Sequence, residues 1–92
     1  MEEKLLYKIY VRGYVQGVGF RWTAAREAKN IGITGFVRNM PDSSVYIEAE
    51  GTPGQLKKFV EWCKKGPVHG LVDSVETESA DPLDYREFRI EH

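Results

Sequence analysis

The 92-residue chain holds one cysteine, two histidines and no extended apolar run. A single cysteine, Cys63, excludes an internal disulfide. Cys63 falls on the apolar stripe of a predicted helix with no histidine near it in sequence. That reads as a buried, inert thiol rather than a nucleophile. Only His69 and His92 remain, and no Cys/His cluster has zinc spacing, so no metal site is expected. No Ser-His-Asp or Cys-His set can be assembled. The want of a long apolar stretch speaks against a membrane span, and Met-Glu-Glu-Lys lacks the basic start of a secretory leader. A cytoplasmic location is the default expectation. An excess of one charge is missing too: 13 basic side chains stand against 14 acidic, a net charge of −1. Bulk electrostatic capture of nucleic acid or membrane is therefore not expected.

What is present describes one soluble domain spanning residues 1–92. At 41% hydrophobic and 29% charged, the composition is that of an ordinary globular protein. A chain this long can bury roughly 60–65% of its unfolded surface, enough for one two-layer core. The charge is uneven along it. Residues 1–39 carry 7 basic and 3 acidic side chains, and residues 40–92 carry 6 and 11.

Residues 4–12 alternate apolar and polar side chains, with Leu6 as the exception, and predict a half-buried strand. Residues 21–31 predict a helix with Ala24, Ala28 and Ile31 on one stripe, Trp22 and Ala25 beside it, and Gly32 ending it. Strands are expected at 33–39, 44–50, about 71–78 and about 86–91. In the third of these five strands, residues 44–50, Val45, Ile47 and Ala49 point inward. Tyr46, Glu48 and Glu50 point outward, toward a wet face. Thr52-Pro53-Gly54-Gln55 starts a second helix with a capping box, and Gly66-Pro67 stops it. The order is that of an α+β, ferredoxin-like βαββαβ sandwich: a mostly antiparallel sheet of four to five strands with two helices on one face.

The most informative stretch is Gly13-Tyr14-Val15-Gln16-Gly17-Val18-Gly19-Phe20-Arg21, between the first strand and the first helix. Gly17 and Gly19 allow left-handed backbone angles that turn amide N–H groups toward one point. The helix adds its own free N–H groups and positive dipole end. Arg21 adds a planar charged fork. Together they describe a cradle for a phosphate-sized anion. Trp22 replaces the third glycine of a dinucleotide fingerprint, and a Walker loop's Gly-Lys-Ser/Thr is absent. From the residues alone, a structural turn with an incidental arginine stays open as well. Asn39 ends the second strand, where the topology can bring it near this loop. It can hold a water molecule, or it can simply open the turn Asn39-Met40-Pro41-Asp42. Glu48, Glu50, Glu76 and Glu78 read as a solvated sheet face rather than an acid–base pair or metal site.

These motifs resemble the acylphosphatase family over essentially the whole chain, from Leu5 to Ile90. The resemblance rests on the stretch Gly13 to Arg21 and on Gly35-Phe36-Val37-Arg38-Asn39-Met40-Pro41-Asp42-Ser43-Ser44-Val45. It implies hydrolysis of carboxyl–phosphate anhydrides to a carboxylate and inorganic phosphate, with no metal and no cofactor. Arg21 and the amides of Val15, Gln16, Gly17, Val18, Gly19 and Phe20 would bind the phosphoryl group, and Asn39 would position the attacking water. The implied partner is a small acyl phosphate, with inorganic phosphate or sulfate as competitors, no nucleic acid, no membrane, and a monomeric enzyme. Two positions depart from the family pattern. Ser43 replaces a turn glycine next to Asn39's turn, and Phe36 replaces a common tryptophan. Nothing obvious reads the acyl side of the substrate. The alternatives are a non-catalytic anion-binding module and an RNA-binding ferredoxin-like module, in which Tyr10 and Tyr46 would stack bases.

Overall fold

A computed structural model describes residues 3–92. Met1 and Glu2, part of the stretch read for a leader, lie outside the described residues. The elements run β1 (Leu5–Tyr14), α1 (Phe20–Ile31), β2 (Thr34–Asn39), β3 (Val45–Gly51), α2 (Pro53–Lys65), β4 (Leu71–Ala80) and β5 (Phe88–Glu91). The five strands form one sheet in the order β4-β1-β3-β2-β5. Three pairings are antiparallel, and β2–β5 is parallel. This is the expected ferredoxin-like α+β arrangement. No helix among the described residues is long and apolar enough to cross a membrane.

Apolar alternation builds the core. Ile9, Val11, Val37, Val45, Ile47 and Ala49 point from the sheet toward Phe20, Ala24 and Ala28 of α1 and Leu56, Phe59 and Cys63 of α2. Burial pushes the Cys63 thiol pKa well up, as an inert thiol requires. The two helices end and begin by different devices. Thr52 Oγ1 accepts from Gln55 N, and Gln55 Oε1 accepts from Thr52 N, which closes the predicted capping box of α2. Gln55 Nε2 also donates to the Ile31 carbonyl at the end of α1. The N-cap of α1 is Gly19, in left-handed conformation with no capping side chain. Its first-turn N–H groups therefore receive no capping acceptor.

The outward face of the sheet is drier than expected. Glu50 is 1% exposed rather than solvated. Its carboxylate accepts from Leu83 N at 3.0 Å and from Asp84 N at 3.0 and 3.1 Å. The segment between β4 and β5 thus folds over this end of the face. Leu6, the exception to the β1 alternation, sits opposite Glu50 and Ala80 and is buried there. Glu48 is half-buried and accepts from the hydroxyls of Tyr46 and Tyr85. Burial raises both tyrosine pKa values, and the Glu48 hydrogen bonds add to the effect. Tyr46 is 8% exposed, tilted against Tyr10 and Phe36, with the Arg38 guanidinium over its ring. It has no free face on which a base could stack. Glu76 and Glu78 on the edge strand are solvated, as expected.

Candidate active site

The sheet's register places the site. β1 and β2 both pair antiparallel to β3, so they run in the same direction and end on the same edge. Val11 and Asn39 both stand opposite Val45. The chain leaving β1 therefore passes over the level of Asn39. β5 runs parallel to β2 with Glu91 beside Arg38, which carries His92 to that edge too.

Between β1 and α1 the loop alternates buried and open positions. Val15 and Phe20 are each 1% exposed and pin its two ends in the core. Gly17 and Gly19 between them are exposed, with φ of 75° and 79°. A Cβ at either would meet nothing within 4 Å, so the demand for glycine is conformational rather than steric. The loop, the uncapped start of α1 and the ends of β2 and β5 enclose a cleft of about 360 Å³. Its lining includes Val15, Gly17, Gly19, Phe20, Arg21 and Asn39, together with Trp22, Ile90 and His92.

Arg21 is half-buried. Its Nη1 donates to the Glu91 carbonyl at 3.0 Å and lies 3.4 Å from His92 Nδ1. Among the described residues, Nε and Nη2 have no protein acceptor, so one edge of the guanidinium is anchored while the other stays open. Asn39 is half-buried, and its side-chain amide makes no hydrogen bond among the described residues. The turn behind it is well fixed. Met40 N donates to Ser44 O and Ser43 N to Met40 O, at 2.9 and 3.1 Å. Asp42 Oδ1 accepts from both the amide and the hydroxyl of Ser44. These two bonds, the side-chain one first, lower the Asp42 pKa below its ordinary value. Ser43 itself takes the left-handed conformation, φ 75°, that a glycine would adopt freely.

Two of the expected loop residues direct their side chains away from the cleft lining. Gln16 Nε2 donates to Met40 O and Ser44 O, both at 2.8 Å, tying the glycine loop to the Asn39 turn. Val18 lies on the far side, near Gly70. Only their backbones are left to serve a cradle. Sequence reasoning missed Trp22, Ile90 and His92 as lining residues. Helical spacing puts Trp22 beside the apolar stripe, yet it is 67% exposed. No three His, Cys, Asp or Glu side chains gather as a metal site among the described residues.

Residues 7–90 match the family model described as acylphosphatase. The chain belongs to the acylphosphatase family. It is 45% identical over 85 residues to an acylphosphatase of Thermotoga petrophila, covering 92% of this chain and 94% of that relative. It is 45% identical over 83 residues to one of Archaeoglobus fulgidus, covering 90% and 93%. The crystal structure of acylphosphatase from Bacillus subtilis superposes with a TM-score of 0.92 at 37% identity, over 96% of this chain and 99% of that one. Acylphosphatase is the activity that this membership assigns, and a small acyl phosphate is its substrate.

Proposed function

We propose that the 92 residues form one acylphosphatase-like domain that hydrolyses acyl phosphates without a metal ion. In this reading the amides of Val15 to Phe20 and the free edge of Arg21 bind the phosphoryl oxygens, and Asn39 orients the water. The observation that carries it is the contrast between the two helix starts. α2 is closed by its own capping box, whereas α1 is left open toward a cleft that also holds, among the described residues, a half-satisfied guanidinium and an unpartnered amide. That set suits a tetrahedral dianion.

Water forms a bond to phosphorus while the bond to the acyl oxygen breaks. The electron pair leaves with the carboxylate, and the water proton passes to phosphate or solvent. The departing carboxylate is a weak base and needs no general acid. Phosphoryl transfer then asks mainly for position and for charge stabilisation on the equatorial oxygens. Fixed amides and a guanidinium supply both without reorganising. The finer reading is a monomeric, cytoplasmic enzyme that inorganic phosphate and sulfate inhibit competitively, with no nucleic-acid or membrane partner.

The test is steady-state hydrolysis of benzoyl phosphate with inorganic phosphate as a dead-end ligand. Arg21→Ala is expected to lose activity by at least about 10²-fold, together with phosphate affinity, while keeping its circular dichroism. Arg21→Lys recovers little, because an ammonium cannot replace the fork. Asn39→Ala lowers kcat and leaves phosphate inhibition almost unchanged. EDTA changes nothing. A folded Arg21→Ala enzyme with normal turnover, or a requirement for added Mg²⁺, refutes the mechanism.

A further inference from the structure

The cleft does not stop at the cradle. Trp22 and Ile90 line it and also line an adjoining groove along α1, whose other walls are Ala25, Arg26 and Lys29. Trp22, Ala25, Arg26 and Lys29 stand at i, i+3, i+4 and i+7, which is one face of the helix. Trp22 is 67% exposed, an unusual amount of uncovered indole beside a binding site. Arg26 and Lys29 are exposed, and among the described residues neither forms an ion pair. Arg21 lies on the same helix, so the geometry along it is fixed. At about 1.5 Å per residue, Arg26 is roughly 7 Å and Lys29 roughly 12 Å further along the axis. An acyl group leaving the cradle in this direction meets first an aromatic and aliphatic surface, then two cations.

We propose that this groove receives the acyl part of the substrate and selects acyl phosphates whose apolar or aromatic spacer ends in a second anionic group. The inference rests on the acylphosphatase reading and adds to it the chemistry of the leaving carboxylate. Trp22 and Ile90 cover the spacer, and Arg26 and Lys29 meet the distal charge. A compact acyl group such as acetyl never reaches the groove and gains nothing from it.

The experiment compares kcat/KM for benzoyl phosphate, 4-carboxybenzoyl phosphate and 4-trimethylammoniobenzoyl phosphate. In the unaltered protein the carboxylated probe is expected to exceed benzoyl phosphate by about fivefold, the worth of one or two exposed charge pairs. The cationic probe falls below benzoyl phosphate. The preference shrinks toward unity at about 0.5 M salt. In the double variant Arg26→Gln, Lys29→Gln the ratio of carboxylated to plain probe falls to about one. With acetyl phosphate as a fourth probe, Trp22→Ala lowers kcat/KM for benzoyl and 4-carboxybenzoyl phosphate relative to acetyl phosphate. If the unaltered protein turns over benzoyl phosphate yet shows no charge preference, this inference fails and the acylphosphatase reading stands. A preference that survives in the double variant overturns it as well. Absence of turnover with every probe removes both.

Discussion

Removing the Gln16 side chain separates a brace from a ligand. Its Nε2 donates at 2.8 Å to Met40 O and at 2.8 Å to Ser44 O. Each neutral hydrogen bond contributes about 1 kcal/mol net. Both carbonyls also accept from a backbone amide within the turn, so Gln16→Ala orphans neither. The stability loss is therefore modest, about 1–2 kcal/mol, or roughly 4–15 °C in Tm for a domain of this size. On the role proposed for Asn39, catalysis is expected to be hit harder. Asn39 directly precedes Met40, and without the brace the loop and the turn are free to move apart. A misplacement on the order of 1 Å costs about 10²-fold in rate. Arg21 and the ends of the loop at Val15 and Phe20 keep their own anchors, so on the proposed reading phosphate inhibition is expected to change less than about threefold, a shift below 1 kcal/mol. Gln16→Glu fares worse than alanine at neutral pH, since a carboxylate would face two carbonyl oxygens with no proton to share. The assay is kcat and the phosphate inhibition constant for each variant, with urea unfolding as the stability measure. Phosphate affinity falling tenfold while kcat holds would show that the side chain belongs to the cradle, and the brace argument would be wrong.

Two further variants probe the turn and the open face. Ser43→Gly releases a left-handed residue, φ 75°, and is expected to stabilise by up to about 1 kcal/mol with kcat changed less than twofold, as thermal melts and kinetics will read. A marked loss of activity would mean that the Ser43 side chain acts directly. Glu50→Ala strands the amides of Leu83 and Asp84 and opens a void beside Leu6, so unfolding should cost about 3 kcal/mol less, with turnover kept below the melting range because Glu50 lies at the far end of β3 from the cleft. An unchanged urea midpoint would contradict the account of that buried carboxylate.

How far the structure could be read beforehand depended on whether the cause was local. Alternation in β1 and β3, the Thr52–Gln55 box and the glycines before α1 each act within a few residues, and each produced the element expected of it. Glu50 did not. Its outward parity follows from the strand's alternation, but its dryness comes from amides 33 and 34 residues later in a segment with no periodic signal. Trp22 lay beside the apolar stripe by helical spacing, and only the end of β5 shows that it borders a cleft. His92 had no sequence context pointing to Arg21, because their proximity is made by the parallel β2–β5 pairing. The glycine pattern puts Gln16 in the loop, yet a glutamine there carries no mark that its amide faces the Asn39 turn.

The bond from Arg21 to the Glu91 carbonyl spans 70 residues, so on the role proposed for Arg21 turnover is expected late in folding. Loops of that size close slowly, and a topology dominated by distant pairings pays their entropy before gaining contacts. β5 has only four residues and a single neighbour strand. During refolding, α1 and the inner strands can assemble while the guanidinium still swings without its anchor. Enzyme activity should then return after the fluorescence of the core, in step with β5 docking. Opening of β5 alone would have to withdraw Phe88, 4% exposed, from its edge-on contact with Phe59. On the role proposed for Arg21, such an opening frees its guanidinium from the Glu91 carbonyl, so turnover is expected to fall on heating before the global melt begins.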